Sequence, residues 1–489
     1  MVWILLGIYW GAMSIILIFS LIQFSLVKSY RKSKKLEEET LPPLNVHSDN
    51  VPFVTVQLPL YNEEYVVERL IDATSELKYP KDKLEIQILD DSTDDTTAII
   101  KRKLASLGSK ASIFKHIQRA DRIGFKAGAL NHGISLAKGE LFAIFDADFI
   151  PGSDFLLETV PYFTDDKVGV VQTRWGHINR DYSFLTKIQA FALDAHFTIE
   201  QVGRNTKSCF INFNGTAGVW RGRCIEDAGG WQYDTITEDL DLSYRAQFRK
   251  WDFIYLENVV SPAELPVAMS AIKTQQFRWN KGAAQNFRKM KKRLSTEKMP
   301  FGKRIHAFAH LLNSSIFILI FVIGLITVPA VHCKANNLQL KIMFDLMGIF
   351  IISLIILMFF YWNSYATHKK GVFSKLGTFG VDFFSFLSTS MGLALHNTVA
   401  AVEGHVGLQS SFIRTPKFNV VAKTDSWKRN KYRVKKIGLI TIFEGVFCLY
   451  YIGGLMYAFL LGQYGFMPFI AMLATGYGIV FIKSVFEPR

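Results

Sequence analysis

Apolar positions follow two rhythms along this chain. From about Val51 to Arg293, short runs rich in Val, Ile and Phe alternate with stretches of helical period. On either side the apolar residues run on for about twenty positions at a time, the length that spans a bilayer as a helix. The short runs Phe53–Leu60, Leu84–Leu89, Ser112–Ile117, Leu141–Phe145 and Val168–Gln172 read as strands. Glu63–Leu77, Thr93–Leu107, Lys126–Ala137 and Ser153–Phe163 read as the helices between them. This alternation predicts an α/β domain, a mostly parallel nucleotide-binding sheet with helices on both faces.

The long apolar runs predict membrane helices at Val2–Val27, His306–Val331, Lys341–Tyr361, Ile437–Leu461 and Phe466–Ser484. The basic run Lys28 to Lys35 follows the first of them, which puts the N-terminus outside and the α/β domain in the cytosol. The first run lacks the basic leader and cleavage site of a removable signal. Phe379–Val402 is moderately apolar but carries Asp382, His396 and Asn397, so an interfacial or re-entrant helix is expected there. The competing count is six spans, with the basic loop Arg414–Lys436 outside. The expected segments are 1–28, a membrane helix; 45–295, the cytosolic domain; 305–363, two spans; 370–434, the re-entrant part; and 436–485, two spans.

Charge adds to this picture. The net charge is +14, but the basic residues gather beside apolar segments, at Lys28–Lys35, Arg288–Arg304 and Lys423–Lys436. That placement suits an anionic membrane face and argues against nucleic acid as a partner. Cys209, Cys224, Cys333 and Cys448 are scattered, with neither a CxxC pair nor a disulfide framework.

Four clusters carry the chemistry. Asp146-Ala147-Asp148 follows the fourth strand, where two carboxylates can hold a divalent cation, Mg2+ or Mn2+, that neutralises a diphosphate. A plain solvated turn is the alternative. Asp91, at the end of the second strand, can accept hydrogen bonds from a base or ribose, unless Asp90-Asp91-Ser92 merely leads into a helix cap. Lys126, at a helix start, suits phosphate, unless it is simply a solvated surface lysine. Thr237-Glu238-Asp239 opens a helix as an N-cap with first-turn acids. As chemistry, Asp239 beside Glu238 would be the general base that takes a proton from an acceptor hydroxyl. Gln275, Arg278 and Trp279 share one helix face, with Trp279 a platform for a pyranose and Arg278 a partner for phosphate. The basic residues after them predict that helix at the bilayer surface, and an ordinary interfacial helix anchored by Trp279 and Arg278 is the alternative.

Taken together, Asp90-Asp91, Asp146-x-Asp148, Thr237-Glu238-Asp239 and Gln275-x-x-Arg278-Trp279 resemble the membrane-integrated family 2 glycosyltransferases, the group with cellulose, chitin and hyaluronan synthases. Phe213-Asn214-Gly215-Thr216-Ala217-Gly218-Val219-Trp220-Arg221 and Gly229-Gly230-Trp231 look like the plant cellulose-synthase-like A and C groups, which make mannan, glucomannan or the glucan of xyloglucan. Gln172-Thr173-Arg174-Trp175 fits the same groups. The resemblance implies a GT-A domain in which Tyr61, Asn62, Glu63 and Asp91 contact the nucleotide, and Asp146 and Asp148 bind the nucleotide-sugar and metal. Asp239 would be the base, and Gln275, Arg278 and Trp279 would hold the acceptor end and the diphosphate. Asn214, Gly215 and Thr216 would line the acceptor site.

Phe412-Ile413-Arg414-Thr415-Pro416-Lys417 resembles the family's gating loop, FxVTxK, with Arg for Val and an added proline that would stiffen it. Phe412, Thr415 and Lys417 are its matching residues. No cyclic-dinucleotide-binding domain like that of bacterial cellulose synthase is expected. The implied activity is processive, inverting transfer of a hexose from UDP-glucose or GDP-mannose to a β-glycan, with coupled translocation across the membrane. Single addition to a lipid acceptor is the alternative, and a non-enzymatic transporter or receptor the remote one. The implied partners are a nucleotide-sugar donor, a glycan acceptor and lipid; accessory subunits are not legible. The implied site is a cell membrane in a bacterium and the Golgi membrane in a eukaryote.

Overall fold

Strands β1 (Val54–Leu60) and β2 (Leu84–Asp90) are almost wholly buried on both faces: Val54, Val56, Ile86 and Ile88 fill one side, and on the other Thr55, Gln57, Glu85 and Gln87 hydrogen-bond to one another. The computed structural model describes residues 2–35, 44–45, 50–368, 372–410, 413–427, 431–432 and 437–486. β3 (Phe114–Gln118), β4 (Leu141–Ile144), β5 (Val168–His177), β6 (Gly218–Arg221) and β7 (Asp252–Ala263) complete one seven-stranded sheet in the order β3-β2-β1-β4-β6-β5-β7. The first four strands pair in parallel, as the alternation predicts.

Two departures from that pattern matter for the site. β6 runs antiparallel to both β4 and β5, and β5 pairs in parallel with β7. Neither β6 nor β7 is among the five strands read from the sequence. β6 spans four residues, too short for its period to stand out locally. The expected helix over Ser153–Phe163 is an α-helical turn, Phe155–Thr159, continued by a 3-10 segment Val160–Thr164 that contains Pro161.

Pro59 sits inside β1, an unusual place for a residue without an N–H. β4 pairs with β1 only through Gln57, so Pro59 lies past the last residue that β4 reaches. The sheet opens at that point. The chain beyond β4 turns away and carries Asp146 and Asp148 into the gap.

The helix Met269–Thr296 follows β7 and carries Gln275, Arg278 and Trp279. A Cβ on Gly282 would fall 2.3 Å from Thr237 Oγ1, so the missing side chain lets this helix press on the start of the helix Glu238–Phe248. The Thr237 hydroxyl accepts from Asn286 Nδ2 at 2.9 Å instead of capping its own helix, which replaces the N-cap reading.

Among the described residues five helices are long and apolar enough to cross a membrane: Val2–Ser33, Asn313–Asn336, Lys341–Ala366, Leu439–Leu460 and Tyr464–Val485. The segment expected to open the second span is a separate helix, Phe301–Leu311. Leu376–Gly392 and Ala394–Val406 form a pair bent by 53°, which would make a sixth if counted as one span. Ala394–Val406 packs along Met269–Thr296, where Lys281 reaches Glu403 at 2.7 Å. Lys273 and Glu444 form a buried pair at 2.6 Å between Met269–Thr296 and Leu439–Leu460. Leaving one such charge alone costs about 3–5 kcal/mol, so the pair fixes the register between the two helices.

Candidate active site

The gap beyond β1 and β4 deepens into a cleft of about 190 Å³. Its walls bring together most of the residues singled out from the sequence, including Tyr61, Glu63, Asp91, Lys126, Asp146, Asp148, Asn214, Gly215, Glu238, Asp239, Gln275, Arg278, Trp279, Thr415 and Lys417. Three of the expected residues are not wall residues. Thr216 is fully buried beneath the cleft, and its hydroxyl accepts from the Asp146 backbone N–H at 2.9 Å. Asn62 stands just outside, in the left-handed region (φ 57°), where its side chain accepts from Thr93 N at 2.8 Å and ties the β1 loop to the β2 loop. Phe412 lies outside the described residues.

Each carboxylate of the Asp146–Asp148 pair carries a lysine. Lys126 Nζ is 2.5 Å from Asp146 Oδ1 and donates to the Gly215 carbonyl at 2.8 Å. Lys417 Nζ is 2.6 Å from Asp148 Oδ2. Lys417 comes from a segment 269 residues further along the chain, and its neighbours anchor it. Arg278 Nη2 donates to Thr415 Oγ1 at 3.0 Å, and Arg414 pairs with Glu63 at 3.1 Å. The Arg414–Lys417 segment therefore lies across the mouth of the cleft. Burial pushes Glu63 up to about 8, against the pull of Arg414 and Lys417. Burial lowers the Lys126 pKa, but the charges of Asp146 and Glu238 outweigh it and hold the ammonium protonated.

Glu238 and Asp239 are built differently. Among the described residues no cation forms an ion pair with either carboxylate. Gly215 holds φ +80°, and a Cβ there would meet Asp239 Oδ2 at 3.1 Å, so the bare glycine lets the backbone lie against the carboxylate. Asp239 is pushed up to about 7, first by burial and then by the adjacent Glu238. Glu238 is raised as well, again by burial first. An acid that gives up its proton near neutrality is suited to act as a general base.

Several residues in or behind the cleft wall were not assigned to the site from the sequence. Arg119 grips Asp91, with Nε donating to Oδ1 at 3.0 Å and Nη2 to Oδ2. The sheet register could have found it, because Asp90 pairs with Gln118 and so Asp91 faces Arg119. The Arg122 guanidinium stacks 3.2 Å over the Tyr61 ring. Trp175 and His177 enter from the end of β5, which runs five residues beyond the expected strand.

Among the described residues no three His, Cys, Asp or Glu side chains form a metal cage. Asp146 and Asp148 fit a different mode, in which one or two carboxylates share Mg2+ or Mn2+ with substrate phosphates. The two lysines now supply positive charge where such an ion would.

Residues 52–282 match the family described as glycosyltransferase like family 2. That match takes in the seven-stranded sheet and the first half of the helix Met269–Thr296. The chain is 42% identical over 272 residues to a probable glucomannan 4-beta-mannosyltransferase 4 of Oryza sativa subsp. japonica, covering 55% of this chain and 49% of the relative. It is 40% identical over 290 residues to glucomannan 4-beta-mannosyltransferase 1 of Cyamopsis tetragonoloba, covering 58% and 55%. It is 39% identical over 294 residues to glucomannan 4-beta-mannosyltransferase 9 of Arabidopsis thaliana, with the same coverage. The chain thus spans about half the length of these curated relatives. A solved mannosyltransferase of Pyrobaculum calidifontis, in complex with GDP-Man and Mn2+, superposes with a TM-score of 0.57 at 20% identity, over 83% of this chain and all of that one. That likeness supports the GT-A-like fold of the sheet domain.

Proposed function

We propose that this chain is a processive, inverting hexosyltransferase that moves mannose from GDP-mannose to the end of a growing β-glycan. One observation carries the reading. Asp146, Asp148, Asp239, Arg278 and Trp279 come from three separate stretches of chain and line a single cleft beside helices long enough to cross a membrane. The plant relatives' names favour mannose over glucose as the sugar. The residues at the cleft are compatible with either nucleotide.

In this reading Tyr61, Glu63 and Asp91 receive the nucleoside. Asp146 and Asp148 would hold the divalent ion, which offsets diphosphate charge when bound. Lys126 and Arg278 hold the leaving diphosphate. Trp279, Gln275, Asn214 and Gly215 receive the acceptor end, with Trp279 stacking on a sugar face. Asp239 takes the proton of the acceptor hydroxyl as that oxygen bonds to the anomeric carbon. The bond from that carbon to the diphosphate breaks, GDP departs with the electron pair, and attack from the opposite face inverts the centre. Thr415 and Lys417 close over the diphosphate once donor is bound, with Phe412 at the start of the same segment. The sheet domain would face the cytosol, and a eukaryotic host would place the protein in the Golgi membrane.

The test uses purified full-length protein in detergent with Mn2+ or Mg2+, and radiolabelled GDP-mannose and UDP-glucose in parallel. GDP release with a ladder of β-mannosyl products is expected. A single addition to co-purified lipid would replace processive synthesis with a lipid-directed transfer. No nucleotide release from either donor would overturn the enzymatic reading.

A further inference from the structure

The helix Phe184–Ala195 does not continue smoothly. It passes into one π turn, His196–Gln201, before resuming at Val202–Thr206. Such turns keep an extra residue in a helix at a cost in hydrogen bonding, and they gather at functional sites. Here the turn aims His196 at the wall of the cleft. His196 Nε2 lies 3.3 Å from Asn214 Oδ1, and His196 Nδ1 lies 2.7 Å from Glu200 Oε2, one π turn below. Glu200 also accepts from Gln23 Nε2 at 3.1 Å, and Gln23 belongs to the first membrane helix. A Cβ on Gly203 would lie 2.7 Å from the Leu26 carbonyl, so the first helix is pressed directly onto this segment.

Both imidazole nitrogens of His196 face oxygen acceptors. With the Nε2 proton donated to Asn214 Oδ1, Glu200 Oε2 lies against Nδ1 and holds the ring in place. Asn214 Oδ1 then receives two donors, His196 Nε2 and Asn212 Nδ2 at 2.8 Å. Asn214 N donates to Gln172 Oε1 at 2.9 Å. The amide oxygen is thus fixed inward. Nδ2 is left with a long 3.5 Å contact to the Asn212 carbonyl among the described residues. Asn214 lines the cleft beside Gly215, whose backbone lies against Asp239.

We propose that His196 is a positioning residue that orients the Asn214 amide so that Nδ2 donates to a hydroxyl of the acceptor sugar. The proposal rests on the acceptor cleft argued above. Glu200 holds the ring in place, and Gln23 extends the same chain of contacts to the first membrane helix. An acceptor hydroxyl gains a donor of fixed direction close to the base. A free Asn214 would rotate between donor and acceptor faces and lose that selectivity.

The experiment measures transfer from GDP-mannose to short β-linked oligosaccharides by the purified full chain, with KM for the acceptor and kcat obtained separately. His196→Ala is expected to raise acceptor KM about five- to tenfold, the loss of one ordinary hydrogen bond, while donor affinity by calorimetry stays unchanged. Asn214→Ala should raise the same KM, and the double variant should be no worse than Asn214→Ala alone. His196→Gln keeps an N–H donor near Nε2 and should restore most of the affinity. Where His196→Ala fails to fold, Glu200→Gln, which keeps the shape but weakens the anchor at the ring's Nδ1, is expected to raise acceptor KM in the same direction. Unchanged acceptor KM in His196→Ala, additive effects in the double variant, or equal loss of donor and acceptor affinity would each overturn the positioning role. If the wild-type protein extends no acceptor at all, the proposed function falls and this inference with it; if it does extend acceptors, only the variants decide.

Discussion

Two acidic pairs face each other across the cleft and are treated in opposite ways. Asp146 and Asp148 each hold a lysine ammonium, from Lys126 and from Lys417. Glu238 and Asp239 have no such partner among the described residues and are pushed up by burial, Asp239 to about 7. In the proposed function the same side-chain chemistry serves two ends. A carboxylate that grips an ammonium could exchange it for a metal ion arriving with a diphosphate. A carboxylate sealed against backbone, beside a second acid, keeps its proton until near neutrality and can take one from an alcohol. Position in the fold, not residue type, separates the roles.

The sharpest way to break this comparison is Asp239→Asn. Polymer formation should fall about 10³-fold or more, while GDP-mannose binding by calorimetry stays nearly intact; full transfer would remove the base assignment. Asp148→Ala attacks the other pair. Mn2+-dependent donor binding, followed by titration with the ion, should weaken on the order of 100-fold, and equal binding with and without the metal ion would show that the pair holds none.

A smaller effect separates the lysine from the ion it would yield to. Lys417→Met removes a competitor for Asp148, so Mn2+ affinity without nucleotide should rise about tenfold, the worth of one largely buried hydrogen bond between charged groups. Transfer should fall in the same variant, because the segment no longer grips the diphosphate. An unchanged Mn2+ affinity would mean that Lys417 and the ion do not share the site.

The smallest expected effect is in pH. As the proposed base Asp239 must be ionised to act, so kcat/KM should rise through pH 6 and level off above the inflection near 7. Stability runs the other way. A carboxyl raised from its unfolded value of 3.8 to about 7 favours the folded state fully below the lower value, and this contribution is lost as pH rises through the upper one. The Asp239→Asn protein should lack that loss, so its Tm relative to wild type should increase between pH 5 and 8. A parallel Tm profile for the two proteins would place the titration elsewhere.

Much of the sheet was legible because its strands are short runs rich in Val, Ile and Leu, bounded by turn residues and separated by helical period. The acids at the ends of β2 and β4 followed from the same logic, since parallel sheets bind ligands at those ends. β6 was not legible, because four residues carry no period and its antiparallel direction depends on the strands on either side. Arg119 was hidden for a milder reason. It sits past a strand, and only the register between β2 and β3 sets it opposite Asp91. The π turn at His196 leaves no mark in composition, since it differs from an α-helical turn by one backbone hydrogen bond.

By itself the sequence determined the membrane helices, the α/β rhythm and the order of the acidic clusters, because burial in lipid or in a sheet imposes local periods that a single chain displays. It did not determine which cation meets which carboxylate. That Lys417 reaches Asp148 and Arg414 reaches Glu63 depends on how the bent helices return the chain to the sheet edge, a contact between residues hundreds of positions apart. Such pairings follow from packed helix positions rather than from neighbouring residues, so only the folded chain decides them.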